Sequence, residues 1–301
     1  MSRYSCPAEN ITMNPEPSTE TTQDDSQADI RKVQNFWNNN VLFSGESMHE
    51  PGSKQWFEEH EATIHTDCLP GGVDPIYTLG LDVASRILDV GCGPGFWVRY
   101  FLRSGYANVS ACDLTPTAVD MTRKSLDLFG LATQGEITQG NAEDLPFADA
   151  SFDHVNCQGV IHHTPNTLKC IEEFSRVVKP GGTVCFSVYY KNFLLRNKAL
   201  LTLATGMMKK FVYLKGRGRE QMLTNDPEEL VRRYDGQDNP IGKAYTYKEL
   251  EGMVAPWFTV EKRARQFFPA RAFPMAVPRP LHRYLDRKHG LLIVLFLRKK
   301  P

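Results

Sequence analysis

Residues 87–97 read ILDVGCGPGFW. The stretch opens with a short apolar run and continues with three glycines at alternate positions, Gly91, Gly93 and Gly95. A short apolar run of this kind predicts a buried β-strand. A glycine-rich turn directly after a strand indicates that the backbone must come close to something. The stretch therefore predicts a strand, a turn and the start of a helix, with a ligand as the candidate for the close approach.

Strand and helix patterns alternate after this stretch. The predicted strands cover residues 86–90, 108–112, 136–139, 152–157, 183–189, 258–262 and 291–296. Helices are predicted from Gly95, from the cap Thr115 and over residues 168–178, and the spacing Thr246-x-x-Glu249 predicts a capping box at a further helix start. Such alternation is typical of an α/β fold, in which helices cover both faces of a mostly parallel sheet.

The chain divides into three parts by composition. Residues 1–28 are rich in Ser, Thr, Pro, Gln and acidic residues and predict a disordered tail, because they carry few large apolar side chains to offset the entropy of ordering. Residues 29–84 predict N-terminal helices that act as a lid, since an apolar stripe at helical spacing begins there. Residues 85–301 then form the α/β domain.

The strand and helix pattern is interrupted over about residues 191–242. This part predicts a helical insertion with one long apolar helix over 193–214, a basic loop over 215–219 and a short helix started by Asp226. An apolar helix face is ordinarily buried against the sheet or a partner subunit, and a membrane or an apolar substrate is the alternative. The insertion is therefore the candidate cap over an acceptor.

Composition argues against several classes of protein. Lys plus Arg and Asp plus Glu number 35 each, so the formal net charge is zero, which argues against a general nucleic-acid binder. The seven cysteines include no CxxC pair and predict reduced thiols in a cytoplasmic protein. The longest late apolar run, residues 291–297, is too short for a membrane span, and the N-terminus has no apolar signal core. A homodimer is compatible with all of these features.

Two kinds of ligand suit a glycine-rich turn after the first strand of such a sheet. A dinucleotide requires G-x-G-x-x-G so that its pyrophosphate reaches the helix N-terminus, but Phe96 stands where the third glycine is required. The pattern is instead D-x-G-x-G-x-G, which favours a nucleoside joined to an amino acid. Asp89 then suits the ammonium group of the ligand, and the glycine backbone allows a close approach.

Two further positions support a nucleoside. Asp113 ends the second strand, 22 residues after Gly91, where an acidic side chain accepts hydrogen bonds from a ribose diol in dinucleotide sites. Asn141 follows the third strand, where an amide side chain is able to read an adenine edge. The alternative for Asp113 is an acidic residue stabilised by the dipole of the helix that follows.

Five stretches together resemble a class I S-adenosylmethionine-dependent methyltransferase: ILDVGCGPG, the acid in ACDLTPTAV, GNAEDLPF, SFDHVNCQGVIHHTPN and LKCIEEFSRVVKPGG. The most similar subgroup is the type-11 subgroup, which includes ubiquinone/menaquinone C-methyltransferase-like domains, and the resemblance covers about residues 85–190. It implies a Rossmann-like, seven-stranded, mostly parallel sheet in the order 3-2-1-4-5-7-6, with strand seven antiparallel. It also implies S-adenosyl-L-methionine as the cofactor.

The resemblance also implies which residues contact the cofactor. These are Asp89, Gly91, Gly93, Gly95, Asp113, Leu114, Asn141, Ala142 and Gln158. The family often has aspartate where this chain has Asn141, which keeps a hydrogen-bonding side chain but puts the adenine contact in question. For Gln158 the alternative is a hydrogen bond across neighbouring strands.

The candidate acceptor-side residues follow the fourth and fifth strands. His162 and His163 are the candidate catalytic residues, because a histidine there is able to act as a general base or to position the acceptor. Their alternative role is to pack the turn and cap the next helix. Tyr189 and Tyr190 are candidates for the wall of the acceptor site, or for packed rings with hydrated hydroxyl groups.

Phe36 and Trp37, in the predicted N-terminal helices, have two interpretations. As part of a lid they would close over the cofactor's sulfonium, since the faces of aromatic rings attract cations. As packing residues they would dock a terminal helix on the domain.

The combined interpretation is an enzyme that transfers a methyl group from S-adenosylmethionine to a small-molecule acceptor, with O-methylation favoured over N-, C- or S-methylation. The apolar insertion and the zero net charge favour a small molecule over a nucleic acid. The alternative is a non-catalytic cofactor-binding or assembly protein with the same fold, while Phe96 disfavours a nicotinamide oxidoreductase. No metal site is predicted, because the spacing of His60, His65 and Cys68 suits neither a helical pair nor a zinc knuckle.

Overall fold

The computed structural model describes residues 23–43, 47–203, 224, 226–270 and 275–301 of the chain. Three predictions fall on other residues. Residues 1–22 of the predicted disordered tail (1–28), the last part of the long insertion helix over 204–214 and the basic loop over 215–219 all lie outside the described residues, whereas residues 23–28 of that tail are helical.

A mixed sheet forms the centre of the molecule. Its strands are β1 (Ile87–Val90), β2 (Val109–Asp113), β3 (Ile137–Gln139), β4 (Phe152–Gln158), β5 (Val178–Tyr190), β6 (Ala244–Tyr245), β7 (Phe258–Gln266) and β8 (Leu292–Lys299). The order across the sheet is β3-β2-β1-β4-β5-β8-β7, and the short β6 pairs with the end of β5. The five neighbouring strands β3, β2, β1, β4 and β5 are parallel to one another, whereas β8 runs antiparallel to both β5 and β7. The predicted mostly parallel sheet, its strand order and its antiparallel last strand are confirmed.

Helices connect these strands and extend over the carboxyl edge of the sheet. They are α1 (Gln23–Asn39), α2 (Lys54–Thr63), α3 (Phe96–Arg103), α4 (Pro116–Phe129), α5 (Thr167–Val177), α6 (Phe193–Arg196), α7 (Pro227–Arg232), α8 (Tyr247–Val254) and α9 (Arg279–His289). The Thr115 hydroxyl caps α4 by accepting from Ala118 N, and the predicted capping box of Thr246 and Glu249 starts α8. These starts are predictable because a cap involves only neighbouring residues.

Apolar side chains cover both faces of the sheet. On one face, Val155 of β4 and Phe186 of β5 pack against α5 and α8 through Phe174 and Leu250. On the other face, α3 and α4 cover β1 and β2, with Phe101 of α3 fully buried. Because side chains alternate along a strand, the polar residues of β1 and β4 that form the site described below face this second side.

Two peripheral helices differ from the sequence prediction. Helix α1 begins at Gln23 rather than residue 29, because the apolar stripe that predicts it starts only at Ile30 and the preceding turns are polar. The sequence pattern does not predict α9, whose buried positions are His282 and Asp286 instead of an apolar stripe. The spacing of apolar residues therefore does not predict helical turns that bury polar side chains or that bury no side chain.

The predicted long helix of the insertion is interrupted at Asn197. Helix α6 ends at Arg196, and the Asn197 side chain accepts a hydrogen bond from Leu200 N at the start of a second helical stretch over 198–203. Asparagine favours a cap over a helix interior because its side chain competes for backbone hydrogen bonds. Phe193 is 68% exposed in the single chain, so it is not buried against the sheet, and its burial against a partner subunit stays a prediction. Among the described residues, no helix is both long and apolar enough to cross a membrane.

Candidate active site

The turn after β1 is built around three glycines in left-handed backbone conformations. Gly91, Gly93 and Gly95 have φ angles of 73°, 50° and 79°, a region that residues with a side chain adopt only at a cost. The Gly91 amide donates to the Cys112 carbonyl at 2.7 Å, and Gly95 is the N-cap of α3. The turn therefore joins the ends of β1 and β2 and starts α3, as the sequence predicts.

The three glycines differ in what an added side chain would meet. A Cβ atom at Gly91 would lie 2.2 Å from Val160 Cγ2, and one at Gly95 would lie 3.0 Å from Thr122 Oγ1. A Cβ atom at Gly93 would have no atom of the described residues within 4 Å. Packing inside the protein thus requires Gly91 and Gly95, whereas Gly93 borders open space that suits a ligand.

Asp113 connects this turn to the start of α4. Its Oδ2 accepts a hydrogen bond from Gly93 N at 3.0 Å, and its Oδ1 accepts bonds from the amide and the hydroxyl of Thr115, both at 2.9 Å. Burial raises the pKa of Asp113, and these hydrogen bonds oppose the rise. A carboxylate offers about four lone-pair positions, so about one remains for the predicted ribose contact. The bond to Gly93, which the sequence does not predict, makes Asp113 a support of the turn as well.

Asp89 is the almost fully buried carboxylate of β1. Its Oδ1 accepts a hydrogen bond from the Asn156 side chain at 2.7 Å, whereas its Oδ2 has no hydrogen-bond partner among the described residues. Burial raises the pKa of Asp89 to about 7; the Asn156 hydrogen bond opposes this rise and the charge of Asp113 adds to it. A buried carboxylate oxygen without a donor is costly, so this atom suits a cationic donor from a ligand.

Gln158 ends β4 and belongs to the same hydrogen-bonded group. Its Nε2 donates to Asn156 Oδ1 at 2.9 Å and to the Cys185 carbonyl at 3.0 Å, so the alternative role of a bond across neighbouring strands is present. Its Oε1 is buried and has no partner in the described part of the chain. The amide oxygen is therefore a second acceptor that is available to a ligand.

The remaining predicted cofactor positions lie in the loops after β2 and β3. The Leu114 carbonyl accepts a hydrogen bond from the Gln34 side chain of α1 at 2.9 Å. Asn141 Oδ1 accepts from Glu143 N at 3.0 Å and closes a tight turn, while Ala142 is buried in the core. All three positions lie at the carboxyl edge of the sheet, and a contact between Asn141 and adenine stays a prediction.

Helix α1 crosses this carboxyl edge. Besides the bond to the loop after β2, its Asn38 side chain accepts a hydrogen bond from the Thr117 hydroxyl at 2.7 Å. The Trp37 ring lies 5.1 Å from the His163 ring between centroids, and Phe36 packs edge-on against Trp37. These contacts extend from the start of α4 to the loop after β4, so α1 covers the edge between them. Contact of the rings with a sulfonium stays a prediction.

The structure separates the two candidate catalytic histidines. His162 is 1% exposed and hydrogen-bonded to the Ser187 backbone, and its Nδ1 is buried without a partner among the described residues. Burial, followed by the neighbouring His163, holds the pKa of His162 well below its usual value. His162 is therefore neutral at pH 7 and keeps a nitrogen lone pair.

His163, by contrast, has partners at both ring nitrogens. Its Nδ1 lies 2.7 Å from the Ile241 carbonyl, and its Nε2 lies 3.2 Å from Asp235 Oδ2. The Tyr189 hydroxyl donates to the same carboxylate oxygen at 2.6 Å. Since Ile241 and Asp235 belong to the insertion, His163 ties the end of the insertion to the loop after β4. The sequence does not predict Asp235, because no local pattern distinguishes it from other acidic residues of the insertion.

Aromatic rings form a wall beside the histidines. The Tyr189 ring lies 4.3 Å from the His162 ring and 5.5 Å from the Tyr234 ring, between centroids. Tyr190 lies instead under the guanidinium of Arg265, 4.3 Å from its ring centre. Of the two tyrosines, Tyr189 is therefore the one that lies beside the candidate histidines.

A cavity of about 440 Å³ lies apart from these residues. Its described lining includes His65, Pro70, Arg279 and Arg283, and none of the residues predicted for the cofactor or for catalysis. It is bounded by the segment after α2 and the first turns of α9. The candidate active site is therefore placed by the glycine turn and its hydrogen bonds, not by this cavity.

Comparisons with known proteins agree with the architecture. Residues 88–186 match the family described as methyltransferase domain. Over 205 residues the chain is 32% identical to a ubiquinone biosynthesis O-methyltransferase of Neisseria meningitidis serogroup A, and the match covers 67% of this chain and 84% of that protein. The chain belongs to the S-adenosylmethionine-dependent methyltransferases.

Other similarities are more limited. A glycine/sarcosine/dimethylglycine N-methyltransferase of Actinopolyspora halophila is 36% identical over 103 residues, which is 34% of this chain and 18% of that protein. A probable phthiotriol/phenolphthiotriol dimycocerosates methyltransferase of Mycobacterium ulcerans is 38% identical over 103 residues, which cover 38% of that protein. A solved structure of an S-adenosylmethionine-dependent methyltransferase from Methanosarcina mazei has a TM-score of 0.52 at 22% identity, covering 76% of this chain and 98% of that chain. At this identity the structural similarity shows the fold alone.

The residues of the turn fit the cofactor of this methyltransferase family. S-adenosylmethionine joins an amino acid, with its ammonium and carboxylate groups, to a nucleoside. Asp89 Oδ2 and Gln158 Oε1 are buried acceptors without described partners, which suits an ammonium group with three N–H donors. Gly93 supplies open space at the turn, and Asp113 lies next to it. Asp89, Gln158, Gly93 and Asp113 are therefore the candidates that would hold S-adenosylmethionine, and their contacts with it stay predictions.

Proposed function

We propose that this methyltransferase methylates a hydroxyl group of a small-molecule acceptor. The observation that carries the proposal is the buried Nδ1 of His162, which has no hydrogen-bond partner among the described residues and lies beside the aromatic wall formed by Tyr189 and Tyr234. A hydroxyl acceptor needs a group that receives its proton, and a neutral imidazole nitrogen is such a group. The names of the relatives include both an O- and an N-methyltransferase, so the choice rests on this histidine.

When bound, S-adenosylmethionine supplies a methyl group that its positively charged sulfur has already activated. The task of the chain is to hold the acceptor in line and to exclude water. Helix α1 and the end of the insertion lie over the carboxyl edge, where His163 joins the insertion to the loop after β4. We assign His163 to this closure, because both of its ring nitrogens already have partners.

The low pKa of His162 suits this role for a chemical reason. An alcohol oxygen becomes positively charged as it accepts a methyl group, and its proton then becomes far more acidic than any imidazolium. A weakly basic nitrogen is therefore sufficient, provided that it is neutral and within hydrogen-bond reach of the hydroxyl group. His162 Nδ1 accepts the hydroxyl hydrogen bond first and takes the proton as the methyl group arrives.

The test combines acceptor identification with mutation. Methyl-labelled S-adenosylmethionine is incubated with a panel of phenols, aliphatic alcohols, amines and thiols, and labelled products are identified by mass spectrometry. We expect labelling at hydroxyl groups, and we expect His162→Ala to lower turnover by about 10²- to 10⁴-fold while the affinity for the cofactor stays nearly unchanged. Because its pKa is far below neutral, turnover should not vary with pH near 6.5 on account of His162.

His163→Gln is the matched comparison. It should raise the KM for the acceptor more than it lowers kcat, because it loosens the insertion rather than removing the proton acceptor. Full turnover in folded His162→Ala would refute the assignment of the base. Labelling of amines or thiols alone would refute O-methylation, whatever the histidine variants show.

A further inference from the structure

Polar side chains line one face of the central strand β4. His154, Asn156 and Gln158 alternate with apolar residues there, although a central parallel strand is ordinarily apolar on both faces. Asn156 is fully buried and pairs in register with Asp89 of β1 on one side and with Cys185 of β5 on the other. A buried amide at this position has to be hydrogen-bonded, so its partners indicate what it does.

The hydrogen bonds of Asn156 form a chain in which Gln158 donates to Asn156 and Asn156 donates to Asp89. Gln158 Nε2 donates to Asn156 Oδ1 at 2.9 Å and to the Cys185 carbonyl at 3.0 Å. Asn156 Nδ2 in turn donates to Asp89 Oδ1 at 2.7 Å. Since Gln158 occupies the amide oxygen of Asn156, the Asn156 NH₂ group is the end that reaches Asp89.

We propose that Asn156 is a positioning residue for the amino-acid end of the cofactor. By binding Asp89 Oδ1 it sets the orientation of the carboxylate and leaves Oδ2 as the acceptor for the ammonium group. Asn156 acts through Asp89 and need not touch the cofactor. The inference rests on the cofactor of the proposed reaction and not on its acceptor, so it is tested by binding alone.

Burial and the charge of Asp113 oppose the ionisation of Asp89. The titratable groups that interact electrostatically with the Asp89 carboxylate are the Asp113 carboxylate and the buried thiols of Cys92, Cys112 and Cys157. None of these four groups is a cation. Burial raises the pKa of Asp89, which lies at about 7 even though the hydrogen bond from Asn156 opposes the rise. Without Asn156 the carboxyl group would stay protonated to a higher pH, and a neutral acid no longer attracts an ammonium group by its charge.

The test is calorimetric binding of S-adenosylhomocysteine to Asn156→Leu, from about pH 6 to about pH 9. This ligand carries the ammonium group but no methyl group to transfer. At neutral pH we expect an affinity about 10- to 100-fold weaker than that of the unmodified protein, as for one lost hydrogen bond to a charged group. The pH at which affinity rises should also move up by about one unit, because the lost bond favoured the carboxylate.

Two controls separate positioning from a general structural effect. 5′-Methylthioadenosine lacks the amino acid, so its affinity should be the same in both proteins. Thr183→Val removes the hydroxyl that bonds His154 on the same face of the sheet, and it should lower the Tm without changing the affinity for S-adenosylhomocysteine. If Asn156→Leu does not fold, Asn156→Thr keeps a hydroxyl donor in a smaller side chain and should show a smaller shift in the same direction.

Two results would overturn the proposal. One is a folded Asn156 variant that binds S-adenosylhomocysteine with unchanged affinity and unchanged pH dependence. The other is an equal loss of affinity for S-adenosylhomocysteine and 5′-methylthioadenosine, because Asn156 would then support the whole site and not the amino-acid end.

Discussion

Replacement of Gly93 by alanine should weaken cofactor binding strongly, at about the same cost in stability as its matched control, Gly130→Ala. Both glycines have left-handed backbone conformations, with φ angles of 50° and 62°, and an added Cβ atom at either would have no described atom within 4 Å. Gly130 caps the C-terminus of α4, away from the turn after β1. The two substitutions therefore impose similar backbone strain but differ in what lies nearby.

The expected magnitudes follow from this geometry. An L-residue in the left-handed region costs about 1–2 kcal/mol, and each kcal/mol lowers the Tm of a domain of this size by about 2–4 °C. Both variants should thus lose about 2–8 °C. Only at Gly93 does the methyl group enter the space assigned to the cofactor, so the affinity for S-adenosylhomocysteine should fall there by at least about 10-fold, or about 1.4 kcal/mol.

The assay pairs thermal unfolding with calorimetric titration of S-adenosylhomocysteine. The reasoning holds if the two variants have similar Tm values and only Gly93→Ala loses affinity. It is refuted if Gly93→Ala binds as tightly as the unmodified protein, because the glycine would then serve the turn alone. Equal losses of affinity in both variants would also refute it, since backbone strain far from the turn would explain the effect.

Two further predictions concern Asp113 and His154. Asp113→Ala should weaken cofactor binding by at least about 10-fold and also lower the Tm, because it removes the acceptor of Gly93 N together with the carboxylate that we expect to bind the ribose; unchanged affinity in a folded variant would contradict the ribose contact, and an unchanged Tm would contradict the support of the turn. His154 has its pKa lowered from 6.5 to about 3 by burial, so below pH 6.5 the unfolded chain takes up a proton that the folded chain refuses, and stability is lost as the pH falls. As the pH falls from 7.5 to 5, the free energy of unfolding of His154→Leu, measured with denaturant, should therefore rise by about 2 kcal/mol relative to that of the unmodified protein; a difference between the two proteins that does not change with pH would rule this out.

The core of the fold was predictable because its signals are local. The glycines at 91, 93 and 95 indicate torsion angles that other residues adopt at a cost, and Thr115 and Glu249 indicate helix starts through hydrogen bonds to residues three positions away. Alternating strand and helix patterns then predict a parallel sheet. The insertion was predicted less well, since Asn197 interrupts an apolar pattern that reads as one helix.

Part of the candidate site also follows from the sequence alone. The spacing of Asp89, the three glycines and Asp113 predicts a turn beside a ligand, and the structure brings these residues together. The same sequence contains a weaker signal for Asn156, since polar residues alternate along FDHVNCQ in a strand that is expected to be apolar. That pattern shows that one face is polar, but it does not show which partner each residue has.

The partners themselves were decided by the tertiary structure. Asn156 reaches Asp89 across 67 positions in the chain, and His163 meets Asp235 only because the insertion returns to the loop after β4. Two adjacent histidines of identical type thus acquire different environments: His162 has a buried nitrogen without a described partner, and His163 has both nitrogens bonded. Local sequence determines backbone torsion and periodicity, whereas strand register and the path of distant segments determine which side chains meet and how strongly burial shifts their pKa values.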